Sequence, residues 1–190
     1  MANINWNQIT KVTSKSYVCG HCGNPLASQY GYYGTWAQRN VAFIYICHQC
    51  NLPTFFYENS QIPGVHFGQS IKHIPDANVE KLYEEARTCF SVNAFTSSVM
   101  CCRKLLMNLA VSEGAKEGMS FVDYVNFLND NNFIPPKGKA WVDAIRKLGN
   151  DATHSIEFKT PEEAKLILTF TEMLLKFIYE MPGLLGGTPS

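Results

Sequence analysis

The chain has 190 residues, of which 46% are hydrophobic and 17% are charged. This composition is typical of a globular protein, and the length allows a small module followed by a larger domain. The 16 lysine and arginine residues balance the 16 aspartate and glutamate residues. This balance excludes non-specific electrostatic binding of nucleic acid by the whole surface of the chain.

Cysteine usage and the apolar pattern indicate the compartment. There are seven cysteines, an odd number, and Cys101 and Cys102 are neighbours, which argues against a secreted disulfide framework. No apolar run approaches the roughly 18 residues of a membrane span. Residues 1–6 lack the charged and apolar regions of a signal peptide. We therefore expect a cytoplasmic protein with no membrane association.

Four of the cysteines form two Cys-x-x-Cys pairs, Cys19 with Cys22 and Cys47 with Cys50. Two such pairs complete the tetrahedral four-thiolate site that is typical of structural Zn²⁺. Four thiolates close the coordination sphere, so catalysis at the metal is not expected. A redox-active dithiol needs only one pair and fits less well, whereas a rubredoxin-like iron site is an open alternative for the metal.

The residues around each pair predict the local backbone. Gly23 follows Cys22 and permits a positive φ, which lets backbone N–H groups point at the sulfur. Asn51 follows Cys50 and is the next most tolerant residue type for that conformation. His21 and His48 lie inside the pairs, and we interpret them as exposed residues rather than ligands.

Short strands interrupted by glycine and proline are predicted around the cysteines, over residues 17–57. The β-branched and aromatic segment 40–47 leads into the second pair, and segment 54–57 leads away from it. Strand, metal knuckle and strand in this order are the layout of a zinc ribbon. We place the ribbon at residues 1–60 and a connecting segment at residues 61–75.

Helical spacing of apolar residues begins after Pro75. The pattern predicts five helices, at residues 77–91, at 94–113, from just after Ser120, at 138–153, and from Thr160 to about residue 180. Thr160, Pro161 and Glu163 form a strong helix-start signal. The side chains of Thr160 and Glu163 can each accept a hydrogen bond from the other's backbone N–H, and proline is favoured at the first helical position. The predicted fold is α+β: a small four-cysteine zinc ribbon followed by an all-α domain at residues 76–182 and a tail at 183–190.

The predicted ribbon is rich in aromatic residues and carries Lys11, Lys15 and Arg39 against the single acid Glu58. The cations are enough to offset the formal charge of a four-thiolate zinc site. Most of the aromatic residues are expected to pack in the core, since so small a module has few other residues to bury. The best candidates for exposure, and for stacking on bases, lie among glycines in an expected loop: Tyr32, Tyr33 and Trp36.

The end of the fourth predicted helix carries Arg146, Asn150 and His154 at intervals of four. This spacing places the three residues along one helix face. An arginine, an amide and an imidazole on one stripe could hold a phosphate and move a proton. The alternative is a purely structural helix C-terminus, where the helix dipole favours a cation such as His154.

Three segments of the helical part carry a family resemblance: Tyr83–Ala86, Cys102–Leu106 and Trp141–His154. Across roughly residues 50–180 the chain resembles the domain of unknown function 4145 family. That resemblance implies a bacterial restriction or phage-defence protein, in a family where the helical domain often follows an N-terminal zinc ribbon. The family is similar to the HEPN superfamily of helical domains, many of which are dimeric, metal-independent ribonucleases.

The resemblance implies an accessory module that interacts with nucleic acid or protein, with RNA or DNA, or a defence-system protein, as partner. It also implies a homodimer formed through a HEPN-like helical domain. Asn150 and His154 match the polar residue and the histidine of the HEPN nuclease motif, but Gly149 replaces its arginine, and Arg146 lies outside the usual spacing. Met107 stands at a position where the family often has glutamate. An endoribonuclease with Arg146, Asn150 and His154 as its catalytic residues is therefore the alternative.

Overall fold

The computed structural model describes residues 4–135, 138–149 and 157–186. The chain divides into two compact units between His66 and Phe67. This division falls within the predicted connecting segment, residues 61–75. The first unit contains all the strands that the structure describes, and the second contains the described helices. The α+β class predicted from the sequence is therefore confirmed.

The first unit is a five-stranded antiparallel sheet whose strands follow one another in chain order. Its strands are β1 Thr10–Val18, β2 Pro25–Trp36, β3 Arg39–Ile46, β4 Pro53–Tyr57 and β5 Ser60–Ile62. The segments predicted at 40–47 and 54–57 correspond to β3 and β4. The sheet also extends further than predicted, because β1 begins before residue 17 and β5 ends after residue 57.

One face of this sheet forms the core of the first unit. Tyr17, Tyr45 and Phe56 are buried there with the cysteines. The ring of Phe56 meets those of Tyr17 and Tyr45 edge-on, with centroids 5.1 and 5.6 Å away. Gly31 on β2 belongs to the same packing, since a Cβ there would overlap the carbonyl oxygen of Ile44 on β3. Core packing is thus confirmed for part of the aromatic set.

The second unit contains the five helices that the periodicity predicts. They are α1 Ala77–Ser91, α2 Phe95–Ser112, α3 Phe121–Asp130, α4 Lys139–Gly149 and α5 Pro161–Leu175. A π-helical turn, Lys176–Glu180, and α6, Met181–Leu184, continue α5 past the predicted end near residue 180. The predicted end of α4 at residue 153 lies outside the described residues. None of the helices in the described ranges is long and apolar enough to cross a membrane.

The core of the second unit is centred on α2. Leu105, Leu106 and Leu109 are completely buried there, among side chains of the neighbouring helices. Cys102 is also completely buried, as expected for a cysteine that acts as a small apolar residue. Burial raises the pKa of its thiol to about 12, so the group is neutral near pH 7.

Arg87 on α1 fixes the chain that precedes the first helix. Its guanidinium is buried and donates to the carbonyl oxygens of Phe67 and Gly68, at 3.1 and 2.9 Å. It also donates to Ser70 Oγ at 2.9 Å and to the carboxylate of Glu84. Residues 67–72, called the strap below, are therefore held against the helical unit. The sequence indicated only a connecting segment here.

Thr160 begins α5 with the predicted capping box: Thr160 Oγ1 accepts from Glu163 N at 3.2 Å, and Glu163 accepts from Thr160 N at 2.8 Å. We expect Thr160→Ala to lower the free energy of unfolding by about 1 kcal/mol, because it removes the partner of a helix-end N–H group. Urea denaturation measures this. Thr169→Ala, in the middle of the same helix, is the matched control and should change stability little. Equal losses in both variants would contradict a capping role.

Candidate metal centre and aromatic surface

The two cysteine pairs form two knuckles with the same backbone hydrogen bonds. Cys19 N donates to Asn24 O at 3.0 Å, and Cys47 N donates to Leu52 O at 3.0 Å. Each first cysteine also accepts through its carbonyl oxygen, from Gly23 N at 2.9 Å and from Asn51 N at 2.8 Å. The φ angles of Gly23 and Asn51 are 71° and 59°. The positive φ predicted after each pair is therefore confirmed.

The four sulfur atoms converge at one point. The knuckles connect β1 to β2 and β3 to β4, and Cys19, Cys22, Cys47 and Cys50 place their sulfurs within 4.8 Å of one another. Sγ of Cys19 lies 3.7 Å from that of Cys50, and Sγ of Cys22 lies 3.8 Å from that of Cys47. A tetrahedron with metal–sulfur bonds of about 2.3 Å has edges of roughly 3.8 Å. The predicted ligand set is thus brought together with the dimensions of a four-thiolate metal site.

Hydrogen bonds to the sulfurs differ between the ligands. His21 N donates to Cys19 Sγ, and Asn24 Nδ2 donates to Cys22 Sγ, both at 3.4 Å. Burial raises the pKa of Cys19, and raises that of Cys50 to about 12. Burial acts in the same direction on Cys22, but hydrogen bonds from the backbone and side chain of Asn24 outweigh it and lower the pKa to about 7. A bound metal ion would displace the protons from these thiols.

The two histidines of the knuckles lie outside this cluster. His21 Nε2 is 2.9 Å from the carbonyl oxygen of Pro53, and both His21 and His48 are exposed. Within the described residues, the cluster that could hold a metal consists of the four cysteines. The ring of His21 thus joins the first knuckle to the start of β4.

A chain of contacts that sequence reasoning missed leads from the second knuckle to the outer face of the sheet. The side-chain amide of Asn51 donates to Ile4 O at 2.6 Å, and the backbone carbonyl oxygen of Asn51 accepts from Trp6 Nε1 at 3.0 Å. The ring of Trp6 lies 6.4 Å from that of Tyr32, and the Tyr32 hydroxyl donates to Asn7 O. The only sequence signal was the asparagine that directly follows the second Cys-x-x-Cys pair.

Several aromatic side chains of the sheet are exposed to solvent. Trp36 is 75% exposed and Tyr33 is 49% exposed, as predicted, but both lie on β2 rather than in a loop. The same strand carries Tyr32, which is half-buried rather than exposed as predicted, and β4, two strands away, adds exposed Phe55 and Tyr57. Two glycines at positions 31 and 34 suggested a loop, whereas the strand pairs through both of them.

Arg146 is the one member of the predicted polar stripe that the structure describes. It lies in the last turn of α4, and its Nη1 donates to Asp143 Oδ1 at 3.0 Å. Asn150 and His154 lie outside the described residues. The stripe of three residues therefore stays a prediction, and Arg146 forms a local ion pair in the part that is described.

The helical unit matches a family model described as Domain of unknown function (DUF4145) over residues 84–185, more than half of the chain. The chain belongs to this family. No match was found among curated proteins, and none was found among solved structures. The DUF4145 match confirms that part of the sequence resemblance and starts within α1, after the strap and the metal centre.

Within the DUF4145 segment, Arg103 of α2 is a further cation beside the end of α4 that sequence reasoning missed. It extends from α2, donates to Leu148 O at 3.3 Å, and places its guanidinium 4.7 Å from the ring centre of Phe121. Arg103 lies in the segment Cys102–Leu106 that carried the family resemblance. Its place near α4 depends on tertiary packing, so local spacing gave no indication of it.

Proposed function

We propose that this DUF4145 protein is an accessory module of bacterial restriction or phage defence that binds single-stranded nucleic acid. A zinc-ribbon unit provides the binding surface, and a HEPN-like helical domain provides homodimerisation and docking to proteins of the same system. The exposed aromatic surface of the sheet carries this proposal. The family membership supports the defence setting through the resemblance described above.

Charge and side-chain type support nucleic acid as the partner of the sheet. Exposed rings stack on bases of any sequence, and each stacked base contributes roughly 1–3 kcal/mol. Residues 1–60 carry three cations and one acid, and Arg39 pairs in register with Trp36, the most exposed ring of the sheet. A neutral chain can therefore still present a locally favourable surface to phosphate groups.

The metal has a structural role in this proposal. Four thiolates leave Zn²⁺ no open coordination position, and three of the four cysteines are buried. The ion would join the connections β1–β2 and β3–β4, which fixes the sheet that carries the aromatic side chains. Zinc fits this four-sulfur set, and elemental analysis distinguishes it from iron.

Fluorescence anisotropy with labelled single-stranded RNA and DNA tests the proposal on the full-length protein. We expect Trp36→Ala to weaken binding about tenfold, because a lost stack of about 1.4 kcal/mol corresponds to a factor of ten. Phe158→Ala is the matched control: Phe158 is 85% exposed on the helical unit, and its removal should leave binding unchanged. If the parent protein bound neither single-stranded RNA nor single-stranded DNA at low salt, the proposal would be wrong.

A metal-independent ribonuclease is the second candidate function. Two guanidinium groups favour it: Arg146 lies in the last turn of α4, and Arg103 reaches that turn from α2. The chain continues from this turn to Asn150 and His154. In this mechanism His154 serves as general base or acid for attack by the ribose 2′-hydroxyl, and Arg146 stabilises the charged phosphorane. Incubation with labelled RNA in the absence of divalent metal separates the candidates. Cleavage that is lost in His154→Ala but kept in a cysteine-to-serine variant would establish the nuclease, and intact RNA would exclude it.

A further inference from the structure

A small apolar slot opens on the outer face of the sheet, between β2, β3 and β4. It has a volume of about 230 Å³ and is lined by Tyr32, Gly34, Ala42, Ile44 and Phe55, together with Tyr33 and Phe43, which stand between them on β2 and β3. Cross-strand register places these residues in adjacent rows: Tyr32 faces Ile44, which faces Phe55, and Gly34 faces Ala42. The slot exists because two small residues, Gly34 and Ala42, lie opposite each other beside a row of large ones.

One wall of the slot is held in place before any ligand arrives. The hydroxyl of Tyr32 donates to Asn7 O, and the ring of Trp6 lies against that of Tyr32. Trp6 is itself fixed by its hydrogen bond to Asn51 O in the second knuckle. A preformed wall lowers the ordering cost of binding, because the ring does not have to be immobilised when the ligand enters.

The shape and lining of the slot select the ligand class. Pockets for drug-sized ligands measure about 300–1,000 Å³, so this slot has room for a single small ring system. Its lining residues are apolar apart from the hydroxyls of Tyr33 and of Tyr32, which already has a partner, so the slot favours a flat ring held by stacking over a ligand that needs several polar anchors. Two cations flank this stretch of β2: Lys11 on β1 pairs with Tyr30, and Arg39 on β3 pairs with Trp36. Their positive charges favour the phosphates of a nucleic-acid strand.

We propose that this slot takes one unpaired nucleobase of single-stranded RNA or DNA, while Lys11 and Arg39 face phosphates further along the strand on either side of that base. The inference rests on the proposed function and names the site where it acts. A base inside a duplex is stacked and paired on both sides and cannot enter such a slot. No group of the lining is positioned to read the edge of a base, so the slot accepts bases with little regard to sequence.

Filling the slot tests the proposal without removing any aromatic residue. A Cβ on Gly34 would lie 3.4 Å from Ala42 Cβ, so a leucine at position 42 occupies the space above Gly34. We expect Ala42→Leu to weaken binding of a labelled single strand at least tenfold. Ala27→Leu is the matched control, because Ala27 is exposed, lies on β2 and pairs with Ser16 outside the slot. Metal content and thermal unfolding should stay the same in both variants.

Two further ligands complete the experiment. An abasic oligonucleotide keeps the phosphates and lacks the bases, so we expect it to bind the parent protein weakly and with no sensitivity to Ala42→Leu. Equal binding of duplex and single strand, or equal binding of the abasic strand, would overturn the slot as a base site. A short apolar peptide that competes for the slot more strongly than the oligonucleotide would identify a protein segment as its occupant and would also overturn the inference.

The outcomes separate the two proposals. If the parent binds nucleic acid and Trp36→Ala weakens binding while Ala42→Leu does not, the surface is correct and the slot is wrong. If the parent binds neither RNA nor DNA, the proposed function fails and the slot fails with it. If both variants weaken binding and Ala27→Leu does not, both proposals stand.

Discussion

Cys47→Ser is expected to abolish metal binding and to unfold the strand-rich unit while the helical unit stays folded. Cys47 is buried and its sulfur lies 3.8 Å from that of Cys22, so serine removes a ligand from the centre of the site. Binding of structural zinc contributes roughly 10–16 kcal/mol in small zinc modules. The first unit has a small buried core, made largely of three aromatic rings and the cysteines, and it cannot offset such a loss.

Elemental analysis of protein purified without added metal measures the first effect, and limited proteolysis with near-ultraviolet circular dichroism measures the second. The parent protein should contain about one zinc ion per chain. Cys89→Ser is the control, because Cys89 lies on α1, apart from the metal cluster, and its loss should leave the metal content unchanged. A parent protein with neither zinc nor iron near one per chain would refute the metal centre.

Arg87→Leu is expected to destabilise the helical unit by about 3 kcal/mol. The arginine side chain is 8% exposed, and its loss leaves the carbonyl oxygens of Phe67 and Gly68 without their donor. Removal of one partner from a buried network of charge-assisted hydrogen bonds ordinarily costs roughly 3–5 kcal/mol, and the partial exposure of Glu84 places the estimate at the lower end.

Hydrogen exchange distinguishes a loosened strap from a general loss of stability. The amides of Gln69 and Lys72 donate to Glu172 and Glu180, at 3.3 and 2.8 Å, and should exchange faster in Arg87→Leu than amides at the centre of α2. Glu84→Gln removes only the ion pair and keeps the contacts of Arg87 to the strap, so we expect it to cost less than about 1 kcal/mol. Equal destabilisation by both variants would show that the ion pair, rather than the strap, is what Arg87 supports.

The helices were predictable because their signals are local. Apolar spacing gave the helices, the signals at Ser120 and Thr160 gave the start of two of them, and the predicted and observed bounds of α1 are the same. The four-cysteine cluster was predictable for the same reason, since two spacings define the set. In both cases the decisive chemistry lies within a few residues along the chain.

The remaining features depend on neighbours that are distant in sequence. β1 alternates threonine, lysine and serine and shows little apolar pattern until Tyr17, so only pairing with β2 reveals it. Gly31 suggested a loop, but the backbone of β3 is what requires a glycine there. The contact of Arg87 with Phe67 and Gly68 gave no signal, because the acceptors there are carbonyl oxygens, and those exist at every position of a chain.

The segment that matches the family model is shorter than the compact helical unit, because the match leaves out the strap and the start of α1. The family match begins at Glu84, inside α1, whereas Ile71, Val79 and Tyr83 are buried in the helical core before that point. A fragment cut at the family boundary would expose this core and leave Arg87 with a buried charge and no strap to bind. We therefore expect a fragment that begins at Phe67 to fold on its own and a fragment that begins at Glu84 to be unstable.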